Sequence, residues 1–134
     1  MRARTASLGL TALLVAAGCD QREADCKKFS AAWNAAHGGP LNSAAEVKVS
    51  IDARRIALGA VVSKDVKLRS LWSEQLAINE PSVSYHQAYE AATSKTGQIT
   101  PAQMQALEER NRQLAAMGAK GQEKLIQIND YCAK

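Results

Sequence analysis

From Gln21 onward, apolar residues recur at steps of three and four, and no segment keeps a strand-like alternation for more than a few residues. That period matches a helix with one buried face. Cys26, Phe29, Trp33 and Ala36 share a face of a first helix predicted over about 21–37, with His37 in its last turn and Gly38-Gly39-Pro40 as its stop. Ser43-Ala44-Ala45-Glu46 has capping-box spacing, in which serine and glutamate each take the other's backbone donor, and starts a second helix. Val47, Ile51, Leu58 and Val62 form its stripe, interrupted by Arg54 and Arg55 and weakened at Gly59.

A turn at Ser63-Lys64 leads to a third helix whose inner face is Leu68, Leu71, Trp72, Gln75 and Leu76. Pro81 lacks an amide proton, so a straight helix cannot pass through it. A kink or a short break falls at 79–82, the kink being preferred because both flanks are helix-compatible, and Tyr85, Ala88, Tyr89 and Ala92 resume the helical spacing. Lys95-Thr96-Gly97-Gln98 reads as a loop. Thr100, Pro101 and Gln103 then announce a last helix, with an N-cap, a proline at the first helical position and a capping-box partner. Its seam is Met104, Leu107, Asn111, Leu114, Gly118, Gly121, Leu125, Ile128 and Cys132. The seam keeps phase across Gly118 and Gly121. One continuous helix is therefore expected, with the glycines admitting a bulky neighbour such as Trp33 or Trp72; a break at the glycines is the alternative. The resulting fold class is all-α, an up-down four-helix bundle with its third helix kinked or broken near Pro81.

The start of the chain follows a different pattern. Arg2 and Arg4 precede residues 5–18, TASLGLTALLVAAG, which carry no charge. This is the layout of a secretory signal. The stretch falls short of the roughly 20 apolar residues of a membrane span, and Asp20, Arg22, Glu23 and Asp25 follow at once. The run Val15-Ala16-Ala17-Gly18-Cys19 resembles the cleavage site of bacterial lipoprotein signals, with Ala16 where family members usually carry leucine. The resemblance implies a signal peptide over 1–18 and one helical-bundle domain over 19–134, with Cys19 as the lipid attachment residue. The alternative is an ordinary signal cleaved near Gly18. A diacylglyceryl group on sulfur, often joined by a third chain on the amine, holds a protein at a membrane because each buried methylene contributes about 0.8 kcal/mol. Asp20 resembles the inner-membrane retention signal of enteric lipoproteins. The tail Ile128-Asn129-Asp130-Tyr131-Cys132 is similar to that of a group of small, uncharacterised bacterial lipoproteins; the match covers the two ends of the chain and transfers no functional site.

Export changes the reading of the cysteines. Of three, Cys19 is the one expected to take lipid, which leaves Cys26 and Cys132; an oxidising compartment favours pairing them as a disulfide, the alternative being two free buried thiols. A crosslink across so long a loop suits a small domain with 4% aromatic residues and a modest core. Charge excludes little. Of the 17 Lys and Arg side chains Arg2 and Arg4 lie in the leader, so the rest carries 15 against 13 acidic groups, which is no nucleic-acid footprint. Lys48, Arg54, Arg55, Lys64, Lys67 and Arg69 form a local basic cluster, for which a solvated face is the ordinary explanation and anionic headgroups or an acidic partner the sharper one.

No metal, cofactor or catalytic pattern stands out. Cys-x-x-Cys, Gly-x-Ser-x-Gly and a phosphate loop are missing, and His37 and His86 read as helix-end or surface histidines rather than ligands. Met104 and Met117 read as packing, and Glu74, Glu80, Glu90, Glu108 and Glu109 as surface charges rather than a catalytic pair. The function expected is a non-catalytic, lipid-anchored envelope protein facing the periplasm. Its bundle binds or scaffolds another envelope component, without nucleic acid. The alternative is a small-ligand or metal-responsive binding module with a pocket near Trp72, Tyr85 and Tyr89.

Overall fold

The structure, a computed structural model, describes residues 8–36, 41–93 and 98–134, with residues 8–19 described at the backbone only. The described residues are helical, without strands: α1 (Leu8–Ala35), α2 (Ala44–Gly59), α3 (Val66–Asn79), α4 (Ser82–Thr93) and α5 (Pro101–Cys132). The expectations for His37, Gly38-Gly39-Pro40 and Lys95-Thr96-Gly97 lie outside the described residues. No helix among the described residues is long and apolar enough to cross a membrane.

α1 starts at Leu8, well before the expected Gln21, and runs through Cys19 without a break. Each later start has a local cause. Ser43 caps α2 by accepting the Glu46 amide, and Glu46 in return takes the amide of Asn42 at 2.8 Å, one residue earlier than a capping box requires. Asp65 caps α3 by accepting the Leu68 amide at 2.9 Å. Glu80 and Pro81 separate α3 from α4, and Ser82 Oγ donates to the Asn79 carbonyl at 2.6 Å, satisfying an orphan acceptor at the end of α3. Thr100 and Gln103 form the full reciprocal box in front of α5.

The core gathers Cys26, Phe29 and Trp33 of α1, Val47 and Ile51 of α2, Leu68, Leu71, Trp72 and Leu76 of α3, and Ile128 of α5. Trp72 is its hub: Phe29 stacks at 6.4 Å and Trp33 packs tilted at 5.5 Å between ring centroids. All five inner-face residues expected of α3 are buried. Val62, by contrast, is 84% exposed, because α2 ends at Gly59 and helical phase no longer places it.

α5 is continuous over 32 residues, about 48 Å at 1.5 Å per residue, so it lies along both α3 and α4. Lys124 pairs with Glu74 of α3 at 2.6 Å, and the Arg110 guanidinium lies 3.8 Å over the Tyr89 ring of α4. The expected seam is buried at Gly121 and Ile128, but Met104, Asn111 and Gly118 are exposed. A straight helix drifts about 20° per heptad, so a stripe held for four heptads turns away from any one neighbour. The bulk beside the glycines is also not tryptophan. A methyl group at Gly121 would meet Gln75 Nε2 at 3.4 Å, while Gly118 has nothing within 4 Å.

Candidate functional site

Cys26 and Cys132 are joined, tying α1 to the end of α5 with a Cα separation of 6.1 Å. A polar cluster surrounds this junction. Asp25 is 2% exposed and accepts from Ser63 Oγ at 2.6 Å, Gln21 Nε2 at 2.8 Å and Lys28 Nζ at 3.3 Å. The Ser63 hydrogen bond, with smaller help from Gln21 and Lys28, holds its carboxyl below the usual aspartate range against the opposing effect of burial. Arg22 lies 4.7 Å over the Tyr131 ring and 3.9 Å from Asp65. This cluster is fully occupied with itself and reads as structural. Cys19 lies within α1, where only the backbone is described.

A different region is equipped to receive something. A cavity of about 370 Å³ opens between α2, α4 and α5. Helical spacing aims its walls. Val47, Ser50, Ile51 and Arg54 come from one face of α2, and Ser82 and His86 from one face of α4. Arg110, Leu114 and Met117 come from one face of α5, while Leu41 and Asn42 close the end before α2 and Asn79 the end of α3.

His86 is the most informative of these residues. It is 6% exposed, and its Nδ1 is buried with no hydrogen-bond partner. Burial, and next the positive charge of Arg110, push the imidazole below its usual pKa against the pull of Glu90, so it is neutral at pH 7. The expectation of a surface or helix-end histidine is therefore corrected: with α4 starting at Ser82, its buried face carries Ser82 and His86. Tyr85 and Tyr89 are half-buried. The expected pocket near Trp72, Tyr85 and Tyr89 does not form as one site, since none of the three lines this cavity.

The two arginine guanidiniums lie over aromatic rings, Arg54 at 4.1 Å from the Trp33 centroid and Arg110 at 3.8 Å from that of Tyr89. Such cation–π contacts restrict where a guanidinium sits. Burial lowers the pKa of Arg54. Arg110 Nε is buried with no hydrogen-bond partner, and no carboxylate stands among the described residues lining the cavity.

The other candidates are engaged elsewhere. In the basic cluster Lys48 pairs with Asp52 at 2.5 Å, Arg55 with Asp52 at 2.6 Å and Glu80 at 2.7 Å, and Arg69 donates to the Ser63 carbonyl. The glutamates do not converge: Glu90 accepts the Ala44 amide at 2.7 Å, Glu109 pairs with Arg112, and Glu74 with Lys124. Among the described residues no group of three or more His, Cys, Asp or Glu side chains is arranged to hold a metal ion. A larger cleft of about 600 Å³ between α2 and α3 is rimmed by the Arg55–Glu80 pair, whose charges already satisfy each other.

Sequence reasoning missed Ser50, Ser82, His86 and Arg110. Its one usable signal was the four-residue step from Ser82 to His86 immediately after Pro81. Comparison with protein-family models, curated proteins and solved structures finds no match to this chain.

Proposed function

We propose that this protein is a lipid-anchored, non-catalytic envelope protein whose helical body is a small-ligand binding module. The cavity beside His86 carries the ligand-binding half of this reading: a buried imidazole nitrogen without a partner, in a space of small-molecule size, is costly unless something fills it. The anchoring half rests on Val15–Cys19 and its resemblance to lipoprotein signals. In this reading α1, α2, the α3–α4 pair and α5 run alternately up and down, with α3 and α4 acting as one rod bent at Pro81. The pairs Asp25–Ser63, Ala44–Glu90, Lys124–Glu74 and Arg110–Tyr89 support that order. The anchor then stands at the disulfide end, and the body faces the periplasm.

Two measurements test this. A thermal-shift screen of small organic compounds should find stabilising ligands; a screen without a single stabilising compound removes the binding module. Cys19→Ser should move the protein from the membrane to the soluble fraction, and a variant that still sediments with membranes removes the lipid anchor.

A second reading, a scaffold for another envelope component, draws on Val49 and Ile56. They stand seven residues apart on one face of α2, 69% and 74% exposed. Val49→Ser with Ile56→Ser should abolish crosslinking to a partner while leaving the thermal-shift response intact; crosslinking that survives the double substitution removes this surface.

A further inference from the structure

We propose that the cavity between α2, α4 and α5 binds a small organic anion with an apolar body, its charged head held by Arg54 and Arg110 and hydrogen-bonded by His86. This rests on the ligand-binding reading above and adds the chemistry of the ligand.

Charge comes first. Two guanidiniums from different helices border one cavity whose described lining holds no carboxylate. A cation is repelled there, and an anion is attracted more strongly than in bulk water because the walls exclude solvent. Contact with the Trp33 and Tyr89 rings restricts both guanidiniums before a ligand arrives, so less side-chain freedom is lost on binding. A guanidinium's planar fork matches a carboxylate or a phosphate.

His86 adds a requirement for an oxygen or nitrogen atom on the ligand. Its Nδ1 is buried and unpartnered, and the side chain lines the cavity. A neutral imidazole presents one donor and one acceptor nitrogen, so it can donate to an anion's oxygen without adding charge. The apolar body follows from the rest of the wall: Val47, Ile51, Leu114 and Met117 cannot satisfy a fully hydrated ion. Inorganic phosphate alone fits this lining poorly. An aliphatic or aromatic acid, or the corresponding phosphate monoester, fits it well.

Probes that share one tail and differ in the head separate the possibilities. Octanoate, octyl phosphate, octanol and octylamine are titrated into the intact, disulfide-bonded protein by calorimetry, beside the Arg110→Gln, Arg110→Lys and His86→Ala variants. Both anions should bind at least tenfold more tightly than octanol and octylamine. Arg110→Gln should weaken octanoate at least tenfold, and Arg110→Lys should recover part of that loss. His86→Ala should weaken both anions; because truncating a buried side chain costs stability, Arg110→Gln at the half-exposed rim keeps the test valid if His86→Ala fails to fold. Tighter binding of octyl phosphate than octanoate supports the anion site and assigns it to phosphate esters. Octanol binding as tightly as octanoate overturns the anion claim and leaves the ligand-binding module standing. Failure of all four probes to bind overturns the anion claim; a stabilising compound of another class in the thermal-shift screen would still preserve the module.

Discussion

Tyr131, the neighbour of disulfide-bonded Cys132, donates its hydroxyl to Asp65, the residue that caps α3, with both carboxylate oxygens 3.0 Å away. One carboxylate thus serves two elements: it accepts the Leu68 amide at the start of α3 and holds the last turn of α5.

Tyr131→Phe removes that hydrogen bond and leaves the ring in place beneath Arg22. Hydrogen bonds to charged groups contribute about 1.5–3 kcal/mol, and this half-buried one belongs at the low end. Guanidinium denaturation at pH 7 should show a loss of about 1.5 kcal/mol. Burial first, then Asp65, raises the Tyr131 pKa above its usual value of 10.0. The folded protein therefore holds this proton longer than the unfolded chain does. Its contribution is complete below pH 10 and is lost as pH rises through the folded value. The alkaline decline in stability should be shallower in Tyr131→Phe, and an unchanged decline would reject the coupling.

Asp25 has the opposite sign. Its pKa is lowered chiefly by Ser63, so its stabilisation is present above the usual 3.8 and disappears as pH falls through the folded value. Ser63→Ala should cost about 1.5–3 kcal/mol at pH 7. The difference from the parent protein should shrink as pH falls through the folded value of Asp25, below which the carboxyl is protonated in both. A penalty independent of pH would show that Ser63 acts through something other than the carboxylate.

The Cys26–Cys132 crosslink closes a loop with a separation of 106 residues. Chain entropy assigns a loop of that size about 4.7 kcal/mol. Replacing both cysteines by serine should lower stability by up to about that amount without changing the helical circular-dichroism spectrum at low temperature. Equal denaturation midpoints with and without the crosslink would contradict this.

Gly118 sits in the middle of α5 with open space where a methyl group would go. Gly118→Ala should stabilise the protein by about 1 kcal/mol through helix propensity alone. Gly121→Ala should gain less, because its methyl group would press on the Gln75 amide at 3.4 Å. Melting temperatures in the reverse order would refute this account of the two glycines.

The chain's short-range signals translated well. Ser43, Pro81 and the Thr100-Pro101-Gln103 group each act on atoms within about one turn, and each marks a real boundary. The α3 inner face was readable because apolar period and burial coincide over a single short helix. The α5 seam was readable only at its C-terminal half, since phase drift along a long helix is invisible in residue spacing. The site was mostly hidden. Ser50 of α2, His86 of α4 and Arg110 of α5 line one cavity although they stand far apart along the chain.

Residue order alone was enough for the helical character of the chain and for most helix starts, because caps, prolines and apolar spacing act between near neighbours. It also contained Cys19 and its signal-like surroundings, which depend on no fold. The cavity depended on packing: His86 is buried and its nitrogen left without a partner because faces of α2, α4 and α5 meet around it. Burial and charge at such a point are sums over residues distant in the chain, and those sums exist only once the helices are assembled.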